Sequence, residues 1–223
     1  IPTDCMAKYV ADRVSDATQL EIAIATTGSR SAGTAKTMLE HIPDGIMVRR
    51  NGQLVRYPAG KGARRIRFVD LERTVLPVPW GDLVTAYRTT GIPNITTYLA
   101  YPEAITPLMR WVGPLSAKLL AVGTIRRLTQ KWLEKNVQGP DEHTRQTARC
   151  YVWVSAANEK GNGAQVWLET SEGYHFTAVA GVRCVEKIFE RRPQGALTPG
   201  LALGADFVLE IPGTKSYDRL NDL

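Results

Sequence analysis

The chain has 223 residues, 43% of them apolar and 22% charged, which suits one large or two small globular domains with a core of ordinary size. No stretch carries the roughly 18 uninterrupted apolar residues of a membrane span, and Asp4, Lys8, Asp12 and Arg13 break any apolar run that would read as a signal peptide. Cys5, Cys150 and Cys184 are too few and too irregularly spaced for a disulfide framework or a zinc knuckle, so the expected setting is a reducing cytoplasm. The net charge of +6 allows an anionic partner. Its arginines, however, fall in short groups (Arg49-Arg50, Arg64-Arg65 with Arg67, Arg126-Arg127, Arg191-Arg192) on separate segments, without the interleaved aromatics of a nucleic-acid surface. They read as solvated surface, or as steering for a phosphorylated or carboxylated small molecule, and no nucleic acid is expected as a partner.

In chain order, Asp4 stands before Ala7, Val10, Ala11 and Val14, the spacing of a helix with a capping residue in front. Leu20, Ile22 and Ile24 alternate with Glu21, Ala23 and Ala25, which predicts a strand over Gln19 to Thr26. A small polar loop, Gly28 to Gly33, leads into a helix ending near His41. Asn51-Gly52 between Met47–Arg50 and Gln53–Tyr57 predicts a hairpin, because both turn residues tolerate positive φ. A second hairpin pairs Arg65–Val69 with Thr74–Val78. Trp80-Gly81-Asp82 opens a short helix through Tyr87, and Ile95 to Tyr101 alternates as a strand. Ala104 to Val122 is an apolar helical stretch interrupted by Pro107, Gly113 and Pro114; it reads either as core or dimer interface, or as a lip for an acyl substrate or a membrane surface. Thr124 to Asn136 is a basic helix. Strands follow at Thr147–Ala156 and Ala164–Thr170, then an amphipathic helix over Tyr174–Arg191, a short helical turn opened by Thr198-Pro199, and a last strand over Asp206–Ile211. Residues 1–213 form one domain on this reading and 214–223 a frayed polar tail. Hairpins without regular βαβ alternation predict an α+β fold: a mixed or antiparallel sheet with helices mainly on one face.

Several segments, in order, resemble the saccharopine-dehydrogenase-like oxidoreductases, especially the bacterial branch that includes trans-acting enoyl reductases. They are Pro2-Thr3-Asp4-Cys5, Gly33-Thr34-Ala35 with Thr37-Met38-Leu39, Pro79-Trp80-Gly81-Asp82, Thr85-Ala86-Tyr87 running to Gly91-Ile92-Pro93-Asn94, Glu172-Gly173-Tyr174, and Thr198-Pro199 with Gly204-Ala205-Asp206-Phe207. The resemblance implies a parent with an N-terminal NAD(P)-binding Rossmann half and a second α+β domain that supplies the substrate pocket and often the subunit interface. The departure is that no strand is followed by G-x-G-x-x-G and a helix. Together with an opening, Ile1-Pro2-Thr3-Asp4-Cys5, that reads as the interior of a longer protein, this leads to the expectation of the substrate-binding and dimerisation domain alone. It would hold no cofactor by itself, lack activity without the Rossmann half, and bind a small-molecule or acyl substrate as a homodimer. The alternative is a stand-alone binding or assembly module that keeps the fold without the chemistry.

Within that frame Thr3, Asp4 and Cys5 are expected near the nicotinamide. Cys5 reads as a buried thiol beside a cap, or as a nucleophile activated at a helix N-terminus, with no base to pair it. The Gly28–Thr34 loop lacks the Gly-Lys-Ser/Thr ending of a P-loop, yet Gly33 and Thr34 at a helix start could hold an anion, or simply cap the helix. Tyr87, Arg88, Thr90 and Asn94 gather hydroxyls, a guanidinium and an amide around one bend. There Arg88 could clamp a carboxylate and Tyr87 donate to a carbonyl, or the bend could be turn chemistry alone. Tyr174 is a further substrate contact, and His175 a second candidate proton donor or a surface cap. No His, Cys and carboxylate spacing suits a metal.

Overall fold

The computed structural model describes residues 1–42, 45–58, 61–102 and 119–220. The expected class holds: a mixed sheet with helices packed mainly against one face. Strand β1 (Gln19–Thr26) is its axis. It pairs in parallel with β6 (Asn94–Ala100) on one side and antiparallel with β7 (Arg149–Ala157) on the other. Beyond β7 come β8 (Gly163–Ser171) and the short β9 (Lys215–Tyr217). The far edge of β6 is shared. The hairpin β2 (Ile46–Arg50) and β3 (Gln53–Tyr57) meets its start at Arg49↔Ile95. The hairpin β4 (Arg64–Arg67) and β5 (Glu72–Pro77) meets its end at Val75↔Ala100 through Pro77↔Tyr98.

Strand alternation divides the core in two. On one face Leu20, Ile22, Ile95, Val152, Val154, Val166 and Leu168 pack against Cys5, Met6 and Val10 of helix α1 (Pro2–Ala11). The same core takes Leu83 and Ala86 from α3 (Asp82–Thr90), Phe176 and Ala180 from α6 (Gly173–Arg191), and Phe207 and Val208. On the other face the small Ala23 and Ala25 lie beside Trp153 and Tyr151 of β7. The β4–β5 hairpin curls across this face and seats Ile66 and Phe68 against the aromatics. Two polar ties fasten it: Trp167 Nε1 donates to the Arg67 carbonyl at 2.7 Å, and Arg64 donates to Glu21, which also accepts from Tyr98 at 2.9 Å. Burial, with Glu21 beside it, pushes the Tyr98 phenol up to about 12, so it stays a donor.

Four local readings need correction. Asp4 does not cap α1 from outside. Pro2 opens the helix and Asp4 sits in its first turn, because proline's missing N–H costs nothing there. Asp206–Ile211 is not a strand: Ala205–Glu210 is a 3₁₀ turn followed directly by Ile211, and Phe207, Val208 and Ile211 all join the core. The tail beyond Gly213 is not simply frayed, since Lys215–Tyr217 adds to the edge of β8. A short helix, α5 (Glu142–Thr147), capped by Asp141, went unforeseen. Helix α2 (Ala32–His41) packs on the basic helix α4 (Gly123–Asn136), and α7 (Pro199–Leu203) packs on α1. The apolar stretch expected over Ala104–Val122 lies mostly outside the described residues.

Phe68 is fully buried and anchors the hairpin that closes the second face. Phe68→Ala is expected to lower unfolding free energy by about 3–5 kcal/mol, read from the urea midpoint at unchanged m-value.

Candidate functional site

At the end of the sheet where β1 finishes, two helix N-termini meet. Ser31 caps α2, its Oγ accepting from Thr34 N at 3.2 Å. Glu172, only 2% exposed, caps α6 by accepting from the N–H groups of Tyr174 and His175, both at 3.0 Å. That geometry aims the Tyr174 phenol at α2. Its oxygen accepts from Ser31 N at 2.8 Å and shares hydrogen bonds with Thr34 Oγ1 at 2.8 Å and Ser31 Oγ at 3.0 Å. Burial raises the phenol's pKa, but the bonds from Ser31 and Thr34 outweigh it, leaving Tyr174 below the usual tyrosine value. The ring remains partly exposed, and Gly33 at the start of α2 and the adjacent His175 are exposed. Among the described residues, the N–H groups of Ala32 and Gly33 donate to nothing, as expected of a helix start. The cluster can therefore offer a small polar group both a polarised hydroxyl and free backbone donors.

Thr3, Asp4 and Cys5 lie elsewhere, buried in the first turn of α1. Asp4 Oδ1 accepts from Thr89 Oγ1 at 2.5 Å, Thr89 shares a bond with Thr198 Oγ1 at 2.6 Å, and Asp4 Oδ2 accepts from Gly200 N at 2.7 Å. A side chain at residue 200 would lie 3.0 Å from Asp4 Oδ2 and 3.1 Å from the Asp4 carbonyl, tighter than ordinary contact, so glycine suits this close approach. Asp82 is buried beside Thr3; burial raises its carboxyl pKa, and the Thr3 hydroxyl offsets this only in part. Burial also pushes the Cys5 thiol up to about 12, which keeps it protonated at neutral pH and removes the nucleophile reading.

The bend from Tyr87 to Asn94 stands at the opposite end of the sheet. Asn94 is level with Gln19, seven residues before Thr26, which puts it roughly 23 Å from the Tyr174 end at about 3.3 Å per residue. Asn94 accepts from Asn51 N at 3.0 Å and donates to the Thr18 carbonyl at 2.8 Å. Tyr87 carries the Arg49 guanidinium 4.0 Å from its ring centre. Thr90 donates to Ala86 O and accepts from Ile92 N, closing the helix. Arg88 is exposed and donates to Ala196 O at 2.7 Å. So the structure brings Tyr174 together with Thr34 and Gly33, sets His175 next to them, and holds the Tyr87–Asn94 group apart. Ser31, Glu172 and Thr89 complete the two clusters. Of these only Ser31 had a readable signal, its spacing of three to Thr34 at a helix start. Among the described residues no group of His, Cys, Asp and Glu could hold a metal.

No family model matches the chain, and no curated protein matches it. Among solved structures it is similar to apo saccharopine dehydrogenase (L-Glu forming) from Saccharomyces cerevisiae, with a TM-score of 0.53 over 97% of this chain and 72% of that one. What the two share is a fold. The sequence identity is 10%, so the saccharopine dehydrogenase likeness speaks for the arrangement of elements and not for chemistry.

A tyrosine whose folded pKa is lowered contributes stability above its unfolded value, and that contribution is lost as pH falls through the folded pKa. The stability advantage of the native chain over Tyr174→Phe should therefore grow between neutral pH and pH about 10. Denaturant unfolding of both proteins across that range measures it.

Proposed function

We propose that this chain is the substrate-binding and dimerisation domain of a saccharopine-dehydrogenase-like, NAD(P)-dependent oxidoreductase, cytoplasmic, and inactive without an N-terminal Rossmann domain. The observation that carries the reading is the saccharopine dehydrogenase likeness running over 97% of the chain. The Gly28–Thr34 loop, which joins a strand to a helix, does not fit a dinucleotide pyrophosphate. Ser31 N–H is taken by Tyr174, and a side chain at residue 28 would lie 3.3 Å from Ala148 and 3.7 Å from the buried Glu172. On this reading the cofactor is held by the other domain.

What this domain supplies is a grip on the substrate. Tyr174, held by Thr34, would orient a carboxylate or carbonyl oxygen, with the N–H groups of Ala32 and Gly33 at the start of α2 adding backbone donors, and the adjacent His175 is the candidate proton donor. The substrate is a carboxylate-bearing amino-acid adduct, as in saccharopine chemistry, or an acyl chain, as for trans-acting enoyl reductases. The decisive experiment titrates the chain with NADPH and NADH by cofactor fluorescence, alongside the protein extended upstream through its natural reading frame. Binding by the extended form only is the expected result. Tight binding by the chain alone would overturn the division of labour, and binding by neither would favour the stand-alone module.

The dimer reading has its own surface. The outer side of α6 exposes Val182 (64%), Val185 (52%) and Phe189 (76%), with Ala178 completing a 4-3-4 spacing, the repeat of a helix–helix seam. Antiparallel pairing about the middle of this stripe sets Val182 against Val185 and the small Ala178 against the large Phe189. Arg183, Lys187 and Arg191 turn toward Glu210 instead, which keeps cations off the seam. With Ile188, the stripe offers about 500 Å² per copy, so two copies approach the roughly 1,000 Å² of a specific interface. Phe189→Glu should convert a dimer into a monomer in sedimentation velocity without lowering Tm; a dimer that survives the change removes α6 from the interface.

A further inference from the structure

Helix α4 is turned inside out. A surface helix normally lays its apolar stripe on the core and shows water its polar side. Here Ile125, Leu128 and Trp132, at spacings of three and four, are 37%, 63% and 60% exposed, and Leu119 and Val122 just ahead of the helix are 48% and 50% exposed. None of the fourteen residues of α4 is buried. The side toward the protein is mainly polar: Gln130 donates to Glu40 of α2 at 2.8 Å and Glu134 pairs with Lys36, with Leu133 half-buried on that side. A shallow depression of about 300 Å³ runs along the outer side, lined by Thr124, Arg127, Leu128 and Lys131.

The charges sit with the stripe. At about 100° per residue, Lys131 and Lys135 flank Leu128 on one side and Arg127 lies just beyond. The helix carries four cations, Arg126, Arg127, Lys131 and Lys135, against the single acid Glu134, whose charge is already met by Lys36. An apolar stripe containing tryptophan, edged by lysine and arginine, is complementary to one kind of surface: acyl chains below and anionic headgroups around. A second copy of this chain is a poor occupant: antiparallel pairing would set Arg127, Lys131 and Lys135 against their own kind, and parallel pairing would set them against the uncharged flank of Thr129 and Asn136. A nucleic acid would answer the cations and leave Leu128 and Trp132 in water.

We infer that α4 is a membrane-surface helix that lies in the interface of an anionic bilayer, inserting Ile125, Leu128 and Trp132 between headgroups while Arg127, Lys131 and Lys135 engage lipid phosphates. The helix lies along the surface. At 14 residues it is about 21 Å long, short of a span. The inference is independent of the oxidoreductase reading, since it uses neither the Tyr174 cluster nor a cofactor.

The test is flotation of the whole chain with vesicles of phosphatidylcholine alone and of phosphatidylcholine mixed with phosphatidylserine. The expected result is binding to the mixed vesicles only, weakened by raising the salt. A Leu128→Glu/Trp132→Glu variant should bind at least about tenfold more weakly, and an Arg127→Glu/Lys131→Glu variant should lose binding to a similar extent. Both should keep the native circular dichroism and Tm, because the altered side chains are exposed. Brominated lipid should quench the Trp132 component, read as the difference from Trp132→Phe. No flotation at low salt would overturn the inference. So would binding that the Leu128/Trp132 change leaves intact, or sedimentation showing that the stripe joins two copies instead.

Discussion

Everything in this fold is built around a strand with no free edge and no wet face. β1 hydrogen-bonds to β6 and β7 along its length, and both of its surfaces lie in a core. Leu20 and Ile22 need a helical cover, which α1 provides with Met6 and Val10. Ala23 and Ala25 leave room on the other side, which Trp153, Tyr151 and Phe68 fill. A strand buried on both faces forces the chain to bring two different lids, and the two lids set the rest of the topology. The helical one draws in α3, α6 and the 3₁₀ turn. The hairpin one draws β4 and β5 across from the edge of β6, with Glu21, two residues ahead of Ala23 on the same face, holding Arg64 and Tyr98.

That enclosure also decides where chemistry can sit. A strand covered on both faces presents function chiefly at its ends, on the loops that leave it. At the finishing end of β1 the departing loop meets the start of α6, and Glu172 is the hinge of that meeting. One oxygen of its carboxylate, Oε2, accepts from two backbone N–H groups, so this buried acid is met by local hydrogen bonds. The cap fixes the first turn of α6, the turn fixes Tyr174, and Tyr174 reaches Ser31 and Thr34 across 140 residues of sequence or more. At the starting end the polar groups are spent on one another: Asn94 bridges Asn51 and Thr18, tying the β2–β3 turn to the strand starts.

What was legible in the sequence follows the same division. Strand β1 was readable to the residue because period-2 alternation depends only on neighbours, and Asn51-Gly52 was readable because the turn needs positive φ at both positions, observed at 48° and 77°. Asp206–Ile211 misled because its apolar residues admit two periods; Phe207, Val208 and Ile211 join the core from a tight helix and the residue after it, and Gly204 at φ 93° turns the chain for it. The candidate site was half legible. Tyr174 and Thr34 each stood out by type and by place at a helix start, but their meeting is a tertiary contact with no local signature. The cluster of Tyr87, Arg88, Thr90 and Asn94 showed the converse: adjacency in sequence gathered polar groups that the fold then sent to separate structural tasks.

Two helices expose apolar stripes, and their electrostatics separate them. On α6 the cations lean inward, where Glu210 takes Arg183, Lys187 and Arg191, so the outer stripe is bordered by Glu186 and Glu190, which are themselves paired on their own helix. A nearly neutral stripe of that kind can meet its own copy, because association brings no like charges together. On α4 the acid is the residue that leans inward, onto Lys36, and the cations are left beside Leu128 and Trp132. Hydrophobic exposure is comparable on the two helices, so apolar area alone cannot assign them partners. The side on which each helix neutralises its charges does: neutral stripes suit self-association, and a cationic stripe requires an anionic surface to make burial of its apolar residues favourable.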